Sequence, residues 1–317
     1  MTNHLSSLGI LFLGTPLFAA LHLEALLQSG YRVVGVCTQP DKKSGRGNRV
    51  HPNPVKETAR NHGIPVLQPL SSKDHEAWSS IERFQADVGV VVAFGQILRK
   101  TVLDSLPMGF INVHASLLPR YRGASPMERA IQNGETETGI TIMRMVRALD
   151  AGDIGWTQRA PIFPFENYGR LSARLARIGC RSLVDFLGAV ISGSARWTPQ
   201  DDSLATYAEK IDKHELRIQW DKPAKDIQRT IRAFDPHAPA WCQKNGVRLK
   251  LMEARDVDDG QAIGEPGRIQ RIDRRGAWIQ TGQGLLCVSD LQFPSKRPIS
   301  FFAARNGRLI QEGDLLE

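Results

Sequence analysis

Asn112 and His114 stand two positions apart at the end of an apolar run, in FINVHASLLPRYRGASP (residues 110–126). In an extended strand, side chains at i and i+2 point to one face. The amide and the imidazole therefore share a face where the strand runs out. In open α/β sheets, ligands bind outside the carboxyl ends of the strands. A donor/acceptor amide beside an imidazole at such a place suits polar chemistry. Two readings stand open on this stretch alone: a reactive pair, or a His114 that only bonds a neighbouring loop.

Other polar residues stand out along the chain. Asp150 sits in the acidic Gly turn ALDAGDIGW (148–156), where an Asp before Ala-Gly is by itself a turn former. Residues 39–54, QPDKKSGRGNRVHPNP, carry Lys42, Lys43, Arg46 and Arg49, with Gly45 and Gly47 around Arg46. That loop reads either as a solvated surface loop or as a basic lid that grips phosphates and orders on binding. Phe94, Gly95, Gln96, Ile97 and Leu98 follow the most strongly apolar run, DVGVVVA (87–93). They read as plain core or as the wall of a pocket for a flat ring.

The elements that position these groups follow from periodicity. GILFLG (9–14) is a buried strand, 16–29 a helix opened by Pro16, and YRVVGVCT (31–38) the next strand. Such a βαβ unit forces parallel pairing and a right-handed crossover. GTPLFA is no phosphate loop, since it lacks both G-x-G-x-x-G and a Gly-Lys-Ser/Thr ending. Further helices are expected at 54–61, 71–84, 126–133 and 168–191, and strands at 64–67, 87–93, 110–114 and 138–145. Residues 193–205 read as a linker or strap.

Beyond it the pattern changes. Residues 206–236 read as largely helical. From Ala240 onward, short alternating segments are broken by Asn245-Gly246, Arg275-Gly276 and the Gly282–Gly284 turn. Strands near 247–254, 267–272, 277–281 and 285–291 suggest a small antiparallel, OB-like β-barrel, a fold that often binds nucleic acid. The expected domains are 1–192, a linker at 193–205, and 206–317.

Composition narrows the class. The 317 residues carry a formal net charge of +8, with 41 Lys and Arg against 33 Asp and Glu, which suits an anionic partner. Cys37, Cys180, Cys242 and Cys287 form no C-x-x-C pair, which argues against a zinc site or a disulfide scaffold and fits a reducing compartment. Residues 1–7 lack the basic charge of a signal peptide, and no apolar run reaches the ~18 residues of a membrane helix. A cytoplasmic protein without a metal is expected.

LFLGTPLFAALHLEAL, QPDKKSGRG, VVVAFGQIL, INVHASLLPRYRGASP, ETGITIM and LDAGDI, in that order, closely resemble the methionyl-tRNA formyltransferases, of the folate-dependent formyltransferase family. YAEKI and IRAFDPHAPAW resemble the start of their C-terminal domain. Leu17, Ala115 and Ser125 depart from the usual Asp, Gly and Ala, and none removes a reacting group.

The resemblance implies an α/β architecture. A Rossmann-like formyltransferase domain with a mostly parallel sheet is followed by a smaller OB-like β-barrel that contacts tRNA. It implies transfer of a formyl group from 10-formyltetrahydrofolate to the amino group of methionine on initiator methionyl-tRNA. A monomer is expected. Asn112, His114 and Asp150 take the positions of the catalytic trio. Ser116, Leu117, Leu118 and Pro119 match the folate-contacting segment, and Phe94, Gly95, Ile97 and Leu98 fall where the family walls its pterin pocket. Lys42, Lys43, Arg46 and Arg49 fall in the loop that approaches the tRNA acceptor end.

Overall fold

The computed structural model describes residues 8–44, 49–258, 260 and 264–317. Strand β1 (Gly9–Gly14) is buried at every position. Pro16, with its fixed φ, leads into α1 (Leu17–Gln28). After β2 (Arg32–Cys37), the expected basic loop contains a short hairpin, β3 (Lys42–Ser44) paired antiparallel with β4 (Arg49–His51). Asn53 caps α2 (Pro54–Asn61), its side chain accepting the Lys56 N–H at 3.1 Å. β5 (Val66–Leu67), α3 (His75–Ser79), β6 (Val88–Val92), α4 (Lys100–Leu103) and β7 (Phe110–His114) follow. The helix expected over 71–84 is shorter, because Asp74 caps α3 and residues 80–84 tighten into a 3-10 turn.

Next come β8 (Arg122–Gly123), α5 (Pro126–Gln132), β9 (Glu137–Arg144), β10 (Ile154–Pro161), the long α6 (Tyr168–Ile191) and β11 (Tyr207–Ala208). The chain divides into two compact units. The first takes the chain up to Pro126 with Thr138–Ala160 and Ser172–Ala208; the second takes Met127–Glu137, Pro161–Leu171 and Glu209–Glu317.

The first unit is built on a seven-stranded sheet of order β10-β9-β7-β6-β1-β2-β5. From β5 through β7 every pairing is parallel, and β9 turns antiparallel to β7. Unbroken apolar runs suit strands covered on both faces, and β6 is buried throughout. The chain builds outward from β1 to β2 and β5, then returns to place β6 on the other side of β1. In open α/β sheets such a reversal is where ligands bind, here at the carboxyl ends of β1 and β6.

The stretch expected as a linker or strap lies along this unit. Thr198 and Ile154 exchange two backbone hydrogen bonds, at 2.8 and 2.9 Å, and β11 pairs parallel with β8. Trp197 meets Phe186 of α6 edge-on at 5.2 Å.

In the second unit, residues 206–236 are less helical than expected. They hold a 3-10 turn at Lys213–Leu216, closed by a capping box on Asp212, and α7 (Ala224–Phe234), which follows Pro223. Ile227, Ile231 and Phe234 bury the apolar face of α7. An antiparallel sheet follows: β12 (Trp241–Lys244), β13 (Val247–Asp258), β14 (Ile269–Asp273), β15 (Gly276–Gln280), β16 (Leu285–Gln292) and the short β17 (Ile299–Ser300), which leads into α8 (Phe301–Asn306). Asn245 and Gly246 make the β12–β13 turn at φ 50° and 75°, the left-handed pair that a tight hairpin needs.

The last residues close this sheet. Gln243 and Glu317 exchange two backbone hydrogen bonds at 2.7 Å, while Leu316 N–H reaches Gly267 O and Ile269 N–H reaches Asp314 O, each at 2.9 Å. The C-terminal segment thus lies between β12 and β14, turning the sheet into a barrel and covering two edges that would otherwise be exposed.

Candidate active site

Asn112, His114 and Asp150 meet at the carboxyl end of β7. Register places His114 opposite Thr141 of β9, and Asn112 opposite Met143. Alternation puts Asn112 and His114 on one face, as the sequence implies. The turn between β9 and β10 then brings Asp150 to them, across 36 residues of chain from His114.

The Asp150 carboxylate faces both partners. Its Oδ1 is 3.5 Å from the Asn112 Nδ2 amide, and its Oδ2 is 3.7 Å from His114 Nδ1. Oδ2 also accepts the Gly123 N–H at 2.8 Å. The His114 and Asp150 side chains are only 6% and 11% exposed, so their interaction is weakly screened.

His114 Nε2 is 2.8 Å from the Tyr121 carbonyl, which can only accept, so the neutral ring carries its hydrogen on Nε2. Nδ1, turned toward Asp150, is then the nitrogen that can take up and release a proton. Asp150 itself adopts a left-handed backbone, φ 50°, which Asp tolerates better than most residues. Two residues later, a Cβ at Gly152 would lie 1.9 Å from the Arg144 carbonyl oxygen, so only glycine fits that turn.

The segment after His114 is fixed by buried hydrogen bonds. Ser116 Oγ donates to Arg120 O at 2.7 Å. Thr141 Oγ1 donates to Ser116 O at 2.7 Å and accepts the Leu118 N–H at 3.2 Å. Ser116 and Leu118 are buried, while Leu117 and Pro119 are half-buried and offer surface.

At the neighbouring strand ends, Thr15 Oγ1 and Gln39 Nε2 each donate to the Phe94 carbonyl at 3.0 Å, tying the ends of β1, β2 and β6 together. The Phe94 and Leu98 side chains are buried. Both sit in the core with Leu11, Leu13 and Trp78, and Phe94 meets Trp78 edge-on at 6.0 Å. Ile97 is 77% exposed, and Gly95, at φ 78°, leaves backbone bare beside it.

Of the basic residues, Lys42 is exposed and donates to Gln39 Oε1 at 3.2 Å. The backbones of Lys43 and Arg49 lie in β3 and β4, while their side chains and all of Arg46 lie outside the described residues. At the base of this hairpin, Lys56 pairs with Asp41 at 2.5 Å. Burial pushes the Asp41 carboxyl up, but hydrogen bonds from Lys56 and Gln68 outweigh it and hold it below the usual range.

Several residues that shape the site were not singled out from the sequence: Thr141, the Tyr121 carbonyl, the Gly123 N–H and Gln200. Only Thr141 was open to inference, from its register against His114 once β7 and β9 pair. Among the described residues, no three His, Cys, Asp or Glu side chains stand close enough to hold a metal ion. Burial pushes the Cys37 and Cys242 thiols up to about 12, and Cys180 and Cys287 to about 11, so none is a ready nucleophile near neutral pH.

A formyl transferase family model matches residues 8–187, and a second, for the formyl transferase C-terminal domain, matches residues 210–308. The chain belongs to the formyltransferase family. The methionyl-tRNA formyltransferase of Thermotoga maritima is 43% identical over 304 residues, 96% of each chain. That of Stutzerimonas stutzeri is 44% identical over the same coverage. Among solved structures, HypX from Aquifex aeolicus in complex with tetrahydrofolic acid superposes with a TM-score of 0.66 at 16% identity. The match covers 97% of this chain and about half, 50%, of HypX. A methionyl-tRNA formyltransferase from Clostridium thermocellum superposes at 0.54 with 14% identity, covering 81% of this chain and 97% of that one. These two structural likenesses bear on fold alone. The described residues thus hold the formyltransferase architecture, a mostly parallel sheet followed by an antiparallel barrel.

Proposed function

We propose that this formyltransferase moves the formyl group of 10-formyltetrahydrofolate to the amino group of methionine on initiator methionyl-tRNA. The observation that carries the reading is the meeting of Asn112, His114 and Asp150 at the end of β7. It occurs in a chain 43–44% identical, over 96% of its length, to proteins named for that activity.

The chemistry fits these three side chains. The amine nitrogen attacks the formyl carbon, a new N–C bond forms, and the carbonyl electron pair moves onto oxygen. Collapse breaks the bond to the donor nitrogen, which gains a proton while the attacking nitrogen loses one. Asn112 Nδ2 and a protonated His114 Nδ1 are the donors for the developing oxyanion, help of a kind worth ~10²–10³ in rate for one donor. Asp150 orients His114 and offsets its charge when Nδ1 carries the proton; proton relay through this pair is worth ~10²–10⁴. A free α-amino group, with a pKa of ~7.7–8.0, is partly neutral near pH 7, so no strong base is needed to start.

The segment Ser116–Pro119 and the backbone around Gly95 with Ile97 form the donor-binding surface; Phe94 and Leu98 support it from the core. Lys42, Lys43, Arg46 and Arg49 neutralise acceptor-end phosphates, so affinity for tRNA falls as salt rises. The barrel supplies a second tRNA contact. The protein acts as a monomer in the cytoplasm, where its tRNA substrate is charged.

The test is formyl transfer from 10-formyltetrahydrofolate to charged initiator tRNA, compared with amino sugars of nucleotides and with free methionine. Preference for the charged tRNA supports the reading. Transfer to an amino sugar with none to the tRNA overturns the acceptor while leaving the transferase.

A further inference from the structure

We infer that Gln200 is a positioning residue for Asp150, and that the strap at 196–208 sets the geometry of the reactive centre. This rests on the proposed formyl transfer for its kinetic readout and on the fold alone for its structural one.

Both hydrogens of the Gln200 amide go to the turn that carries Asp150. Nε2 donates to the Asp150 carbonyl at 2.9 Å and to the Gly152 carbonyl at 2.7 Å. On its other side, Oε1 accepts from Arg122, Nε at 3.2 Å and Nη2 at 2.8 Å. Arg122 is only 4% exposed, and its Nη2 also reaches Asp202 of the strap at 2.6 Å. The next residue, Gly123, gives its N–H to Asp150 Oδ2. The turn is therefore held through its carboxylate by Gly123 and through its main chain by Gln200, and Arg122 locks the two holds together.

The strap reaches His114 in one further step. Thr206 Oγ1 accepts the Tyr121 N–H at 2.9 Å, and Thr206 O accepts the Arg122 N–H at 2.8 Å. Tyr121 is the residue whose carbonyl fixes His114 Nε2. Both ends of the His114–Asp150 pair are thus braced by one stretch of chain whose bonds go to main-chain groups and to Arg122 rather than to the imidazole or the carboxylate. A residue at position 200 must donate twice on one side and accept from a guanidinium on the other. A primary amide does both; a carboxylate pairs with Arg122 but presents no hydrogen to the two carbonyls.

That asymmetry supplies the test. Q200E keeps the Arg122 partner, and with it the attachment of the strap, while losing both bonds to the turn. Q200A loses both sides. A misplacement near 1 Å costs ~10²-fold, so both variants are expected to lower kcat about 10–100-fold, with the KM for 10-formyltetrahydrofolate moving less than about threefold. On a D150N background, Q200A is expected to add less than about threefold, because residues acting as a unit do not multiply their losses. Backbone amides of residues 151–154 are expected to exchange faster in Q200A and Q200E than in the wild type. Wild-type kcat in Q200E, or fully multiplied losses in the double variant, would reduce Gln200 to a structural tie between strap and Arg122. Unchanged amide exchange in Q200E overturns the inference whatever the chain's acceptor proves to be.

Discussion

Replacing Thr141 with Val removes one hydroxyl and almost nothing else. Val keeps the β-branched shape that suits β9 and the volume that packs beneath the Ser116–Pro119 segment. Thr141 is fully buried, and its Oγ1 satisfies two backbone groups, the Leu118 N–H at 3.2 Å and the Ser116 carbonyl at 2.7 Å. Leaving a buried polar group without its partner costs ~1–3 kcal/mol. Two groups therefore put the loss at about 2–4 kcal/mol, allowing some relaxation of the turn. Thr141→Ser keeps the oxygen and loses one methyl, a cost of about 1 kcal/mol. Urea unfolding measures both, the midpoint shift being converted through the slope of the transition. The same variants report on function, because the segment that loosens is the proposed donor-binding surface: T141V raises the KM for the formyl donor and T141S leaves it near wild type. A T141V protein within roughly 0.5 kcal/mol of wild type, the range of ordinary surface changes, would refute the bridging role.

Other consequences follow from the same geometry. Gly152→Ala places a methyl against the Arg144 carbonyl, 1.9 Å away, so the Asp150 turn must shift and kcat falls ~10²-fold; wild-type turnover would show that the turn yields without cost. Fully buried His22 donates Nδ1–H to Phe18 O at 2.7 Å, and desolvation lowers its pKa to about 4 despite that bond. The folded pKa lies below the unfolded 6.5, so the unfolded chain binds more protons between these values. The neutral-His22 contribution is complete above pH 6.5 and is lost as pH falls toward 4, about 3 kcal/mol in all. Stability measured across that window should lose this component in His22→Leu; an unchanged pH profile contradicts it. Deleting Asp314–Glu317 removes four backbone hydrogen bonds that close the barrel. At ~0.5–1.5 kcal/mol each, that is about 2–6 kcal/mol. The second unit should unfold at lower urea while formyl-donor binding persists, and an unshifted transition would show that closure contributes nothing.

What the sequence disclosed was local. The i, i+2 spacing of Asn112 and His114 names a shared face, and unbroken apolar runs name β1 and β6. Asp150 is different, since an Asp before Ala-Gly is chemically indistinguishable from any turn residue until β9 and β10 carry it back to β7. Only the family resemblance picked it out. Phe94 and Leu98 show the opposite limit: apolar character says that a side chain leaves water, not whether it enters core or pocket, and in the structure both are buried in one cluster with Trp78. The strap was legible as irregular chain, but Gln200 was not, because its value lies in two backbone carbonyls that no side-chain pattern reports. Barrel closure by residues 314–317 was hidden for the same reason, being made by main-chain bonds.

Single-turnover formyl transfer to initiator methionyl-tRNA, with both substrates saturating, in wild type and in Asp150→Asn and His114→Ala, tests the role of the Asn112–His114–Asp150 centre most directly. Transfer by the wild type, with a loss of ~10²–10⁴-fold in each variant and donor binding retained, is the predicted result. Folded variants that transfer at the wild-type rate would contradict it.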